Sequence, residues 1–259
     1  MKLGMPILFE YETIEENIEL AKKLNLDFIE NNLNFSYGRK ALENPEHLKK
    51  ILDDAGLFQT LHFYDETDFA SYEEVTEAYL GLMDKYVTLG AKANLKMLNI
   101  HLNKGPVCTI SGVKNYIYTK EFPQYQERLL RALGRAREIC ERNGVTLVIE
   151  NVNHNAVIPY LDDAYRFLKP AGFYFNYDIG HDSTNSFQLR KLNEELNLPF
   201  KEFHFHDSDG KRDHLNLGEG TIDLKYFKDL AAKNDANVLL EVKSSEDLIT
   251  SVPYFRNIK

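Results

Sequence analysis

Short apolar, β-rich runs alternate with amphipathic stretches from one end of this chain to the other. Strands are expected at Ile7–Tyr11, Phe28–Asn32, Phe58–Tyr64, Lys96–Leu102, Thr146–Asn151, Phe173–Ile179, Glu202–His206 and Val238–Val242, where Ile, Leu, Val, Phe and Tyr cluster. Helical periodicity between them predicts helices near 13–25, 44–55, 71–90, 122–143, 160–169, 186–197, 223–234 and 245–257. Thr13-Ile14-Glu15-Glu16 and Ser71-Tyr72-Glu73-Glu74 read as capping boxes, and Gly56 and Gly144 stand where helices should stop. Strands that each lead into a helix have connections long enough for parallel crossovers. The pattern therefore predicts an α/β chain folded as one closed (β/α)8 barrel over residues 1–259. An open doubly wound sheet is the alternative. One segment breaks the rhythm: Asn103–Phe122 is irregular and longer than the usual βα loop, which suits either a lid or binding element or a packed surface insertion.

Composition narrows the setting. Cys108 and Cys140 lack the paired spacing of thiolate metal sites or redox motifs, so a reduced, cytoplasmic environment is expected. The apolar run after Met1 is too short for a signal peptide and no stretch is long enough to span a bilayer, so no membrane association is expected. A formal charge of −9 argues against nucleic acid as a partner, because phosphate backbones are bound mainly by Lys and Arg.

Chemistry concentrates in His204-Phe205-His206-Asp207-Ser208-Asp209-Gly210-Lys211-Arg212-Asp213-His214 and the Gly218-Glu219-Gly220 turn that follows. So many titratable groups are costly to bury without a compensating partner or metal. In a (β/α)8 barrel the active site forms at the C-terminal ends of the strands. Those ends present His62, His101, Glu150, Asp178, His206 and Glu241, with His181 just past Asp178. Three carboxylates converging on one mouth repel one another unless a cation sits among them. Glu150, Asp178, His206 and Glu241 would form a set suited to Mn2+, Co2+ or Mg2+, with Zn2+ also compatible.

Val148-Ile149-Glu150-Asn151, Tyr177-Asp178-Ile179-Gly180-His181, Phe205-His206-Asp207-Ser208-Asp209-Gly210 and Leu217-Gly218-Glu219-Gly220-Thr221-Ile222-Asp223 resemble the xylose isomerase-like TIM-barrel superfamily of sugar (phosphate) isomerases and epimerases. Within it, the ketose 3-epimerase pattern implies Glu150, Asp178, His206 and Glu241 as metal ligands. Glu150 and Glu241 would also be the acid/base pair, with His181 and Arg212 on substrate oxygens. Ala156 stands where that pattern has a substrate-binding acid, which argues against free ketohexose 3-epimerisation. The resemblance extends to the endonuclease IV type of apurinic-site nuclease, whose three-zinc cluster uses further histidines. His62, His101, His181 and His214 occupy similar positions and leave room for a second metal. Arg212 replaces that nuclease's metal-binding Asp, and a cation there would oppose a third metal.

Proton removal next to a carbonyl needs a stabilised enediolate, which a Lewis-acidic metal supplies while one carboxylate takes the proton and another returns it. Three classes of function follow. The first is a metal-dependent isomerase or epimerase of a sugar, sugar phosphate or related polyol, with a dehydratase as a close variant. The second is an endonuclease IV-like zinc-dependent phosphodiesterase. The third is a barrel that binds without turnover. His154 and Lys243 are further substrate-binding candidates, and Lys104, Lys114 and Lys120 of the long loop could meet an anionic group. His204 is expected to make a hydrogen bond in the core and His47 to face solvent, while Asp207, Asp209 and Asp213 should shape the loop. Barrels of this kind often pair, so a homo-oligomer is an expectation by analogy.

Overall fold

The computed structural model describes residues 1–152 and 159–259. Eight parallel strands close a barrel in the order β1 (Leu3–Pro6), β10 (Asn237–Leu240), β9 (Phe200–Phe205), β8 (Tyr174–Asp178), β7 (Thr146–Glu150), β4 (Leu95–His101), β3 (Phe58–His62) and β2 (Phe28–Asn32). Its main outer helices are α1 (Ile14–Lys23), α3 (Pro45–Ala55), α4 (Glu73–Lys92), α6 (Phe122–Arg142), α7 (Pro159–Leu168), α9 (Gln188–Leu196), α10 (Leu224–Lys233) and α11 (Ser245–Asn257). Two short helices, α2 (Ser36–Leu42) and α8 (Ile179–Thr184), are additions that the periodicity did not predict. The closed barrel excludes the open sheet.

Only the first strand was misplaced. Ile7-Leu8-Phe9 has the composition of a strand, yet pairing runs through Leu3-Gly4-Met5-Pro6, with Gly4 opposite Phe28 and Pro6 opposite Glu30. A Cβ on Gly4 would stand 2.5 Å from the Phe28 ring, so a residue of low strand propensity is required by packing. Ile7 and Leu8 are buried beyond the strand, and Phe9 is exposed.

The Thr13 capping box forms, with Thr13 Oγ1 accepting from the Glu16 amide and Glu16 reaching back to the Thr13 amide. The second box does not. Tyr72 occupies the N-cap position of α4 without a side-chain cap, because a turn that bonds the Ser71 amide to Asp68 O places Ser71 one residue too early. The long insertion is ordered rather than irregular. It folds into an antiparallel hairpin, β5 (Val107–Ile110) and β6 (Val113–Tyr116), followed by α5 (Ile117–Lys120).

Strand alternation sorts side chains onto two faces of the barrel wall. Leu61, Leu98, Ile149, Phe175, Tyr177, Phe203 and Phe205 are fully or almost fully buried and join the apolar layer under the helices. Tyr177, Phe200, Phe203 and Phe227 pack there with ring centroids 4.9–5.5 Å apart. The alternate positions carry Glu30, Thr60, His62, Asn99, Glu150, Asn176, Asp178, Glu202 and His204, all buried. The barrel interior is therefore polar towards its C-terminal end, which is an expensive arrangement unless the groups serve one another or a ligand.

Candidate metal centre at the barrel mouth

Glu150 ends β7, Asp178 ends β8, and Glu241 directly follows β10. His204 lies within β9, and its ring reaches between the three acids. His204 Nδ1 is 3.3 Å from Glu150 Oε1, 3.2 Å from Glu241 Oε2 and 4.0 Å from Asp178 Oδ2. One donor atom from each of these four residues lies within 4.8 Å of all the others. The imidazole nearest all three acids is His204, while His206, the ring the sequence pointed to, stands against Asp178 alone among them. Both rings share strand parity, and depth along the barrel axis separates them. His206 instead bonds Asp178, with Nε2 at 2.9 and 3.0 Å from its two oxygens, and Nδ1 accepts the His214 amide at 2.7 Å. His204 therefore does more than make a core hydrogen bond.

The surrounding residues hold the acids in place. Glu150 Oε2 accepts from the side-chain amides of Asn99 and Asn176. Asp178 caps α8 by accepting the His181 amide at 2.7 Å. Gly180 makes room for the His206 ring, since a Cβ there would fall 2.0 Å from Cε1. Lys243 Nζ stands 3.2 Å from Glu241 Oε1.

Burial works against charge at all three acids, but neighbouring imidazoles and Lys243 outweigh it. His204 and His101 hold Glu150 well below the usual carboxylate range. Lys243 and His214 do the same for Glu241, and His181 and His206 lower Asp178. His204 is pushed well above the ordinary imidazole value, because the charges of Glu150 and Glu30 overcome burial. Beneath it, burial and the Glu30 charge raise Glu202 to about 8.

The donor set fits a divalent cation. Glu241 Oε2 and His204 Nδ1 are buried, face each other and find no hydrogen-bond partner among the described residues. Three carboxylates and one imidazole match a hard or borderline metal.

A second group adjoins the first through Glu150. His62 Nε2 and His101 Nε2 face each other at 3.1 Å and lie 3.6 and 3.4 Å from Glu150 Oε2. The two oxygens of Glu150 therefore serve different groups. His181, His206 and His214 form a third. Arg212 lies outside it: its guanidinium is exposed and paired with Asp209 at 2.9 Å, so the charge expected to oppose a metal there is spent on the loop tip.

The remaining candidates separate clearly. Asp207 staples the loop by accepting amides of Ser208, Gly218 and Ile222, and Asp209 shapes a turn through the amides of Lys211 and Arg212. Asp213 faces inward, 3.8 Å from His181 Nε2. Lys104 helps line a cleft of about 210 Å³ over the site, with Asp65, His101, Asn103 and His181. Lys114 and Lys120 are exposed on the hairpin and α5, and exposed His47 pairs with Glu15. His154 and Ala156 fall outside the described residues.

Acids and histidines thus gather at the C-terminal mouth of a parallel (β/α)8 barrel, in a cluster that could hold a metal. The chain belongs to the xylose isomerase-like TIM barrel family, whose profile matches residues 18–257. Among solved structures it is similar to a D-tagatose 3-epimerase-like protein, at 19% identity and TM-score 0.79 over 100% of this chain and 97% of that one. It is also similar to D-psicose 3-epimerase with D-tagatose from Clostridium cellulolyticum H10, at 13% identity and TM-score 0.76 over 100% and 99%. The IolI protein with a bound zinc atom aligns at 14% identity and TM-score 0.74 over 99% and 94%. A search of curated protein sequences finds no match to the chain. No helix among the described residues is long and apolar enough to cross a membrane.

Proposed function

We propose that this protein is a divalent-metal-dependent isomerase or epimerase of a small sugar, sugar phosphate or related polyol. The observation that carries this reading is the four-donor group of Glu150, Asp178, His204 and Glu241, in which two glutamates on opposite sides of the mouth are both held ionised. The likeness to a D-tagatose 3-epimerase-like protein and to D-psicose 3-epimerase supports the substrate class.

These four residues would hold the metal, which supplies Lewis-acid stabilisation of charge developing on a carbonyl oxygen. The chain's own groups move the protons. Glu241 is the more accessible carboxylate, 16% exposed, and its depressed pKa keeps it ionised as a base. Glu150 is 1% exposed and serves the opposite face, with its orientation set by Asn99 and Asn176. Each positioned acid or base contributes roughly 10²–10⁴ in rate. His181 donates Nδ1–H to Asn151 O at 3.1 Å and lines the cleft, where it orients substrate hydroxyls. The cleft's roughly 210 Å³ suits a small polar substrate. Asp65 and Glu66 on its wall repel a phosphodiester backbone.

The His62–His101–Glu150 group favours a second reading, a two-metal hydrolase of the endonuclease IV type. His62 Nδ1 donates to Phe63 O, which leaves Nε2 facing His101 and Glu150 as the ring atom that would bind a metal. One experiment separates the two. Protein purified without chelator is assayed for metal per chain, then incubated with a ketose and ketose-phosphate panel in D2O and with duplex carrying an abasic site. Deuterium appearing next to the carbonyl, and disappearing with Glu241→Gln, is the expected result. Nicking of the duplex without exchange on any sugar would overturn it.

A further inference from the structure

Three of the loops around the cleft of about 210 Å³ meet on one side chain. Tyr118 of α5 is buried, and its hydroxyl donates to Asp68 Oδ2 at 2.5 Å. Asp68 belongs to the loop after β3, which supplies Asp65 and Glu66 to the cleft wall, and its other oxygen accepts the Ala70 amide at 3.0 Å. Asn103 and Lys104 of the wall come from the loop after β4. There Asn103 Oδ1 accepts the Gly105 amide at 2.9 Å, and Gly105 adopts φ +65° against the Tyr118 ring, where a Cβ would fall 2.1 Å from Cε2. Tyr160, at the start of α7 beyond β7, donates its hydroxyl to Lys104 O and packs with its ring centroid 6.0 Å from that of Tyr118. Tyr125 of α6 completes the hub, 4.9 Å from Tyr118 and 5.1 Å from Tyr160. One turn further on, Arg128 lies 5.5 Å from the Tyr118 ring centre and bonds Ala70 O at 2.7 Å.

None of these residues belongs to the acid and histidine clusters of the mouth. β5 is exposed along its length, so the insertion reaches the site through its α5 end. Loops are the mobile part of a barrel mouth, and pinning three of them to one buried ring ties the cleft walls to the rigid body of α6 before a ligand arrives. We propose that the insertion at 103–122 is a clasp, in which Tyr118 is a positioning residue that fixes the spacing of the cleft walls through Asp68 and Gly105. Its bearing on turnover rests on the reading that a small sugar or polyol enters this cleft.

Tyr118→Phe and Asp68→Asn are compared with wild type on the full chain by hydrogen–deuterium exchange mass spectrometry and by initial rates on the ketose panel. Circular dichroism confirms that each is folded. Tyr118→Phe removes only the hydroxyl and should speed exchange roughly tenfold at 64–72 and 103–106, with α10 and α11 unchanged. KM should rise roughly tenfold with kcat unchanged, because ordering the walls then draws on substrate binding and not on the chemical step. Asp68→Asn keeps an acceptor for the Ala70 amide and gains an NH2 that can donate to the phenol oxygen, so both readouts should stay close to wild type. Wild-type exchange at the walls or wild-type KM in Tyr118→Phe, whatever its melting temperature, would overturn the proposal. Wild-type protein that turns over no ketose would overturn the isomerase or epimerase reading, and exchange at the walls would then decide the clasp alone.

Discussion

Replacing Glu150 with glutamine preserves side-chain volume and removes one charge from the centre of the site. The carboxylate now accepts at Oε2 from Asn99 and Asn176 and meets His204 at Oε1. A glutamine amide has only one acceptor end. With its oxygen towards the asparagines, its NH2 opposes His204; reversed, its NH2 opposes two amide donors. At least one buried donor is then unsatisfied, at about 1–3 kcal/mol. Removing the charge beside His204 breaks a buried pair, for which about 3–5 kcal/mol is typical. Against this, repulsion among Glu150, Asp178 and Glu241 is relieved; at an effective dielectric of 20, two charges 4 Å apart interact by about 4 kcal/mol. The net expectation is a metal-free protein destabilised by up to about 4 kcal/mol, which lowers Tm by up to roughly 16 °C in a chain of this size. Melts in chelator read the stability, and metal per chain after dialysis reads the site. A variant that melts with the wild type and retains its metal would refute the claim that an ionised Glu150 organises the group.

His204→Ala should abolish metal retention while His206→Ala, which loses only the bonds to Asp178 and the His214 amide, keeps most of it; elemental analysis of the two proteins decides. Gly4→Ala drives a methyl to 2.5 Å from the Phe28 ring and should cost about 1–3 kcal/mol in a urea melt without changing metal content. Asp182 is buried under Tyr177 and the amides of Leu189 and Arg190, and burial raises it to about 6 from 3.8. The folded state then holds more protons than the unfolded one between about pH 4 and 6, so Asp182 contributes stability below that window that is lost as pH rises through it. Relative to wild type, Asp182→Asn should gain up to about 3 kcal/mol between pH 4 and 6, and a difference independent of pH would contradict this.

The barrel was legible because each barrel strand but the first is a compact apolar run with a helix behind it. β1 was missed because Gly4 and Pro6 have poor strand propensity, and the need for Gly4 comes from Phe28, far along the chain. The hairpin at 107–116 was missed because every residue of β5 is exposed, so no buried face imposes a two-residue period. Ser71 carried a capping signature that a preceding turn made unusable.

Residue chemistry and strand periodicity were enough to gather Glu150, Asp178, Glu241, His62, His101 and His181 at one mouth, because alternation assigns each side chain to a face and the strand's end assigns it to a rim. They put His204 and His206 on one face and named the shallower His206 for the metal set, but could not show that His204 is the ring standing among the three acids. That choice, like the pairing of Glu30 with His204 across the barrel, depends on closure. Closing the sheet sets the stagger of one strand against another, and with it which donors stand within reach of the same cation.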